Sequence, residues 1–487
     1  MTSMPALPVT EYPVVTLVAG VDSSTQSCKV VIRALETGEI VREGRAGHPA
    51  GTEVDPEAWW QALLSAITAA GGLADVAAIA IGGQQHGLVA LDAEGRVIRD
   101  ALLWNDTRSA EAANALVTEI GAGELARRSG SVPVASFTIT KLRWLADSEP
   151  DNAARIAAIA LPHDWLTWRL RGFGNGNGNG NGNSQLCELV TDRSDASGTG
   201  YFDPESGDYD RELLALALRI PVEQAAQIVL PVVLGPQASR SVNAGEFAGA
   251  LRVGAGAGDN AAAALGIGAV AGDVIISIGT SGTVFAVSDR PSQDDTGTVA
   301  GFADASGRYL PLIATLNAAR VFDSFTALLA TDHAGLGELA LQAKPGANGA
   351  VLHPYFEGER TPNLPHATAT LAGLTLASTT RENLARASIE GVLCGLADGL
   401  DAVKAQGVTV NRLLLIGGSA QNAAVSRIAA QVFVEPVVVP ELFEFVAAGA
   451  AVQAGWALTG TRPVWPIPAA AQPPQDYRPI IRAQYSR

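Results

Sequence analysis

The first apolar runs of the chain are short, and a polar turn closes each of them. "VVTLVAGVD" (14–22), "CKVVIRALE" (28–36) and "IVREGRAGH" (40–48) are separated by "SSTQS" and "TGE". This pattern predicts three strands in a meander with a tight hairpin at its first turn. The same pattern returns far downstream, where "DVIISIG" (273–279), the turn "TSG" and "TVFAVSDR" (283–290) follow one another. Two strand-turn-strand units, each with Ser and Thr at the turn, point to an internal duplication with one related domain in each half.

Helical periodicity lies between these runs. "DPEAWWQALLSAI" (55–67) offers Asp55 as N-cap with Pro56 at the first helical position, and the long repeat at 379–403 offers Thr379 and Glu382 as a capping box. "RLLLIGGSAQNAAVSRIAAQVF" (412–433) reads as a buried strand, a Gly417–Gly418 turn and an amphipathic helix. Such a glycine turn suits either a nucleotide contact or a plain strand-to-helix connection. Mixed strands and helices in both halves give an α/β class. The Asn-Gly tract at 174–184 has nothing to bury and predicts a surface loop. The expected division is a first domain over 15–248, a second over 249–460 and a tail over 461–487.

At 487 residues the chain exceeds one compact core and suits a two-domain enzyme. Lys+Arg 33 against Asp+Glu 49 leaves a formal charge of -16, which opposes nucleic acid as a partner. A phosphate ligand must therefore be held locally, by backbone N–H groups, helix N-termini or a metal ion. Cys28, Cys187 and Cys394 are scattered and odd in number, as expected of reduced thiols. Neither a signal peptide nor an apolar window of the roughly 18 residues a membrane span needs is present, so the expectation is a cytoplasmic protein without membrane partners.

Three stretches could carry chemistry. In "GVDSSTQSCK" Asp22 ends a strand before Ser23, Ser24 and Thr25, where a carboxylate either holds Mg²⁺ through water or merely caps the turn. "GTSGT" (279–283) is a second phosphate-loop candidate with the same alternatives. In "GAGAGDNAAAALGIG" (254–268), Gly256, Gly258 and Ala261 match the G-x-G-x-x-A spacing of a dinucleotide fingerprint. With 52 glycines in the chain such matches arise by chance, and the acidic ribose ligand due about 20 residues later is missing from "VIISIGTSG". The alternative places Asp259 at the head of an Ala-rich helix, as a catalytic carboxylate or as a cap.

Together the paired turns "GVDSSTQSCK" and "ISIGTSGTVFAVSD", followed by "LLLIGGSAQN", resemble the two phosphate motifs and the adenosine motif of the actin-like ATPase (ribonuclease H-like) fold, as used by the FGGY carbohydrate kinases. The resemblance runs from about Val15 to about Leu458. It is closest to the xylulokinase branch through "GGQQHGLVALD", "LLWNDTRSAEA", "LPHDWLTWRLRG", "TDRSDASGTGYFD", "GAGDNAAAALGIGA" and "PYFEGERTPN", in the family's order.

The resemblance implies two actin-like domains closing on an active-site cleft and transfer of the γ-phosphate of ATP to the terminal hydroxyl of D-xylulose, with MgATP and the sugar as partners and a monomer or homodimer as the assembly. The alternatives are another FGGY specificity, such as ribulose, gluconate or glycerol, and a non-catalytic sugar or nucleotide sensor. The resemblance makes Asp259 the base and Asp22 its catalytic companion and metal-facing carboxylate. It assigns the sugar to Gln85, His86, Trp104, Asn105, Asp106, Asp259 and Asn260. It assigns the nucleotide to Ser24, Thr25, Gly279, Thr280, Ser281, Gly417, Gly418, Ser419 and Asn422. The helix dipole is expected to keep Asp259 ionised, and the glycines before it to bring backbone close to the substrates. Two positions depart from the commonest pattern: Ser24 stands where the first phosphate loop usually has Gly, and Gln85 where a Met often precedes the His.

Overall fold

The computed structural model describes residues 15–174, 186–242, 244–362 and 364–486. The Asn-Gly tract, apart from Gly174, lies outside the described residues. The first sheet contains β1 (Leu17–Ser23), β2 (Ser27–Ala34), β3 (Ile40–Gly47), β4 (Val76–Gly83), β5 (Ser239–Ser241), β6 (Arg252–Gly254) and β7 (Ala257–Gly258). Its spatial order is β5-β6-β4-β1-β2-β3, with β7 pairing the end of β4. The second sheet contains β8 (Asp273–Ile278), β9 (Gly282–Ala286), β10 (Ala300–Ala303), β11 (Tyr309–Thr315), β12 (Arg412–Ile416), β13 (Val437–Pro440) and β14 (Ala469–Ala471), in the order β10-β11-β9-β8-β12-β13-β14.

The expected duplication is visible in the pairing. In each sheet a leading strand runs antiparallel to its hairpin partner, β1 with β2 and β8 with β9. On its other side it runs parallel to a later strand, β1 with β4 and β8 with β12. These later strands are parallel in turn to β6 and β13. The first sheet continues past residue 248, because β6 and β7 both pair with β4. Asp259 therefore stands on the first sheet, whereas the expected division put it in the second domain.

Helix α1 (Pro56–Ala69) begins as the sequence implies, with the Asp55 side chain accepting from Glu57 N–H. It packs Trp59 and Trp60 against the first sheet, beside Trp165 and Trp168 of α2 (Pro162–Leu170). A one-turn helix, α3 (Arg193–Ala196), precedes α4 (Asp259–Gly266), the Ala-rich helix at the end of β7. The long α5 (Arg381–Ala405) covers the second sheet together with α6 (Ala423–Val432). Its N-cap is Thr380, which accepts from Asn383 N–H, and not Thr379, whose hydroxyl is already committed to the Thr375 carbonyl.

Helix α7 (Phe445–Thr459) leaves the second sheet and lies on β1, β4 and α4. Small residues permit this. A Cβ at Gly449 would fall 1.8 Å from Ala262 O, and one at Gly266 would fall 2.1 Å from Phe445 O. The backbones of α4 and α7 thus touch, and between the sheets these two helices share a core with Ile275, Phe285, Leu414 and Ile416. Among the described residues no helix is long and apolar enough to cross a membrane.

Because that contact is backbone against backbone, Gly449→Ala has no rotamer through which to relax. Its loss of stability should sit at the top of the roughly 1–3 kcal/mol range of overpacking. A urea unfolding midpoint equal to that of the parent would show that α4 and α7 can separate without cost.

Candidate active site

The carboxyl ends of β1, β4 and β7 meet at one level, since Ser23 pairs with Gly83 and Gly83 with Gly258. Ligand sites of open α/β sheets form at such strand ends, where loops are free to converge. A cavity of about 250 Å³ opens there. From the first sheet it is lined by Asp22, Asp259, Asn260 and Ala263, and from the second by Ser277, Phe285, Ile416 and Gly417, with residues 442–446 as its floor.

Asp22 is buried, and one of its oxygens, Oδ1, has no hydrogen-bond partner. The register sets it opposite Lys29, whose Nζ lies 3.7 Å from Oδ2 and also bonds Glu444. Burial raises the Asp22 carboxyl to about 6 despite the ammonium beside it. Asp259 opens α4, its Oδ1 accepting from both the backbone and the side-chain nitrogen of Asn260. It is half-exposed towards the cavity but set deep in the protein. Its carboxyl is also raised to about 6, by burial first, against the Asn260 hydrogen bond, and with the negative charge of Asp22 adding to the rise. The expected effect of the helix dipole is overridden: two neighbouring carboxylates and their burial outweigh one turn of aligned peptides. At pH 7 the group is still mostly ionised.

The glycines before Asp259 serve the protein rather than an approaching ligand. Gly256 has φ +85, and a Cβ there would lie 2.8 Å from Ile81 O and 2.9 Å from the His163 ring. Its N–H and C=O are both taken by the amide of Gln453 on α7.

Gln85, His86, Trp104, Asn105 and Asp106 are not part of the cavity wall but lie beside it. Gln85 donates to Ser194 O at 3.1 Å and touches Gly258, the residue before Asp259. His86 adopts φ 70, a strained conformation for a non-glycine residue. It is locked there by Thr138, which donates to its carbonyl, and by the Gly198 carbonyl 2.7 Å from Nδ1. That bond makes Nδ1 the protonated nitrogen and leaves Nε2 as an acceptor. Burial, with the Phe137 ring 4.7 Å away, lowers the imidazole to about 3, so it stays neutral.

Trp104 donates from Nε1 to Thr25 Oγ1 at 2.8 Å, tying the 104–106 segment to the β1–β2 turn. Ser24 offers its carbonyl to His48. Asn105 holds a buried Oδ1 without a partner. Asp106 has both oxygens engaged, by Thr52 and by Arg108, which keeps its carboxyl below the usual range despite burial.

On the second sheet, Gly279, Thr280 and Ser281 form the β8–β9 turn, and the Gly279 carbonyl accepts from Ala319 N–H. Gly417 lines the cavity, while Gly418 and Ser419 begin a single 3-10 turn. Asn422 is occupied structurally: Oδ1 caps α6 at Ala424, and Nδ2 donates to the His333 carbonyl. Lys29 and Glu444 are cavity neighbours that sequence reasoning did not single out, and the only local signal for Lys29 was its place in "QSCK".

Paired hairpin turns, a two-sheet cleft and two carboxylates at its base form one arrangement, and comparisons with known proteins agree with it. The model of the FGGY family of carbohydrate kinases, N-terminal domain, matches residues 17–266, and that of the C-terminal domain matches residues 274–458. The chain belongs to the FGGY family of carbohydrate kinases. It is 44% identical over 463 residues to a xylulose kinase of Streptomyces coelicolor, covering 91% of this chain and 88% of that one. It is 43% identical to one of Streptomyces rubiginosus, covering 92% and 89%. The crystal structure of xylulose kinase from Bifidobacterium adolescentis superposes with a TM-score of 0.91 at 47% identity, covering 97% of this chain and 99% of that one. As an FGGY kinase, the protein takes ATP as co-substrate.

If Asp259 serves as the base that the family resemblance implies, its carboxyl near 6 fixes the sign of the pH response: protonation removes activity as pH falls. The kcat/KM of this kinase should therefore decline about tenfold per pH unit below pH 6. A profile flat down to pH 5 would refute this. Raised carboxyls also mean that the folded state binds these protons more tightly than the unfolded chain, so above pH 6 the ionised Asp259 destabilises the fold. Asp259→Asn should therefore cost at least about 10³-fold in kcat while leaving the thermal midpoint at pH 7.5 equal or higher.

Proposed function

We propose that the protein phosphorylates D-xylulose at its terminal hydroxyl with ATP, giving D-xylulose 5-phosphate and ADP. The observation that carries this reading is Asp259, a mostly ionised carboxylate on the first turn of α4, facing the cavity and adjoining Gln85, in a chain 44–47% identical to xylulose kinases over nearly its full length.

Asp259 orients the sugar hydroxyl and accepts its proton as the new O–P bond forms and the bond to the ADP oxygen breaks. Transfer through a loose transition state needs positioning more than a strong base, so a carboxyl near 6 suffices. Gln85, His86, Trp104, Asn105 and Asn260 form the sugar side. Neutral His86 presents Nε2 as an acceptor to a hydroxyl, Trp104 supplies an apolar plate, and Asp106 holds the Trp104–Asn105 turn in place through Thr52 and Arg108. Ser24, Thr25 and the 279–281 turn offer N–H and hydroxyl donors to phosphates. Gly417, Gly418 and Ser419 face the nucleoside, with Asn422 fixing the helix behind them.

The orphan Asp22 Oδ1 fits a hydrated Mg²⁺ ion, which when bound spreads the charge of the triphosphate. Asp22 keeps that oxygen free because Lys29 approaches the other one.

A coupled ADP-release assay over D-xylulose, ribulose, gluconate and glycerol tests the specificity. D-xylulose should lead by at least about 100-fold in kcat/KM, because a site built to pair hydroxyls rejects analogues that leave its buried polar groups unpaired. A higher value for another sugar or polyol would replace the xylulose assignment. ATP turnover without any dependence on sugar would remove the kinase reading itself.

A further inference from the structure

The first turn of α2 carries a feature that phosphoryl transfer does not use. The His163 ring is wholly buried, and both of its nitrogens face carboxylates. Nδ1 lies 3.3 Å from Asp164 Oδ1, while Nε2 lies 3.3 Å from Asp195 Oδ2 and 3.5 Å from Asp192 Oδ1. A neutral imidazole has one N–H and needs a donor for its other nitrogen, which only a protonated Asp195, whose carboxyl burial pushes well up, could supply, whereas an imidazolium donates on both sides and leaves Asp195 its charge. A metal ion would take one nitrogen and leave the other facing a carboxylate. Asp164 and Asp192 have further work, accepting from Leu161 N–H and capping α3. Asp195 accepts no hydrogen bond and faces the ring.

The segment this ring anchors is a junction. Ser194 O accepts from Gln85 Nε2, and Ser194 Oγ accepts from Gly258 N–H, one residue before Asp259. Gly198 O accepts from His86 Nδ1, and Ser197 Oγ accepts from Ala303 N–H on β10 of the second sheet. One short stretch thus holds both sugar-side groups, the start of the catalytic helix and the facing sheet.

We propose that His163, as a permanent imidazolium among Asp164, Asp192 and Asp195, is the positioning residue that fixes the 192–198 segment and through it the mutual placement of Gln85, His86 and Asp259. The carboxylates raise the ring to about 10 although burial opposes it. Asp259 acts on Asp195 from the α4 side, and Tyr201 and Tyr209 lie beyond Asp164. The proposal rests on the sugar-kinase reading for the roles of Gln85, His86 and Asp259, but the charge on the ring does not.

The test has two arms. In the first, ¹⁵N and ¹³C histidine spectra of the intact protein, assigned by the signal lost in His163→Gln, should show both His163 nitrogens protonated from pH 6 to 9. A midpoint below 7.5, or a stoichiometric metal ion in the purified protein, overturns the imidazolium. In the second, His163→Gln should lower kcat about 100-fold, as displacement of reacting groups by about 1 Å does, with KM for ATP unchanged within about threefold. His163→Lys, which restores a cation, should recover at least tenfold of the loss.

Ser194→Ala, which removes the link to Gly258 without touching the charges, covers the case in which His163→Gln does not fold. It should lower kcat by about tenfold in a folded protein whose unfolding midpoint falls only by what the loss of one buried hydrogen bond costs. Full kcat in folded His163→Gln or in Ser194→Ala, or no rescue by Lys, overturns the positioning role. An active Asp259→Asn would instead refute the kinase reading and leave the first arm standing.

Discussion

Two carboxylates, Asp22 and Asp259, share one small cavity, and the rest of the architecture follows from holding them there. Burial raises both carboxyls, Asp22 adds to the rise at Asp259 and Glu444 to that at Asp22, and Lys29 offers only partial compensation because it is shared with Glu444. Such an arrangement is unfavourable in a free protein, and on the proposed reading a bound cation would offset the repulsion. The fold must supply the stability that the site removes. It does so in the layer directly behind: α4 and α7 pressed together at Gly266 and Gly449, with a core shared between both sheets.

The duplicated topology explains how the cavity acquires two walls. A strand, hairpin and parallel neighbour recur in each sheet, so each half presents a hydroxyl-bearing turn at its strand ends, Ser24 and Thr25 in the first and Thr280 and Ser281 in the second. Asp22 belongs to a hairpin strand and Asp259 to the helix that leaves the same sheet at β7. Their separation is therefore set within one rigid sheet, while the second sheet contributes the facing wall. A catalytic pair built on strand and helix ends is held more tightly than one carried by loops.

Local pattern made the hairpins, the α1 cap and the position of Asp259 legible, because each depends on neighbours within a few residues. Capping at Thr380 rather than Thr379 turned on whether a hydroxyl was already spent on Thr375, which letter spacing does not encode. The glycines around 256 looked like ligand-facing glycines, but their neighbours are Ile81, His163 and Gln453, from three distant segments. The His163 cluster was unreadable for the same reason. "LPHDW" and "TDRSDAS" belong to segments that carry the family resemblance, but nothing in the strings pairs them, and only the packing of α2 against the short strand before α3 brings one ring among three acids.

The electrostatics divide the site into two zones with opposite logic. Where the proposed reading places the sugar hydroxyl, the titratable group stays neutral: His86 sits against Phe137 and Phe302, and burial lowers its ring to about 3. At the cavity, where the proposed reading places proton transfer and the cation, burial keeps carboxylates ionisable near neutrality. The segment from Asp192 to Gly198 touches both zones, bonding His86 on one side and the head of α4 on the other. If the charge inside that segment were free to change with pH, recognition and chemistry would shift together. A cation fixed on the His163 ring holds one charge of that cluster constant, while Asp164, raised to about 6 by burial, titrates in the same range as Asp22 and Asp259.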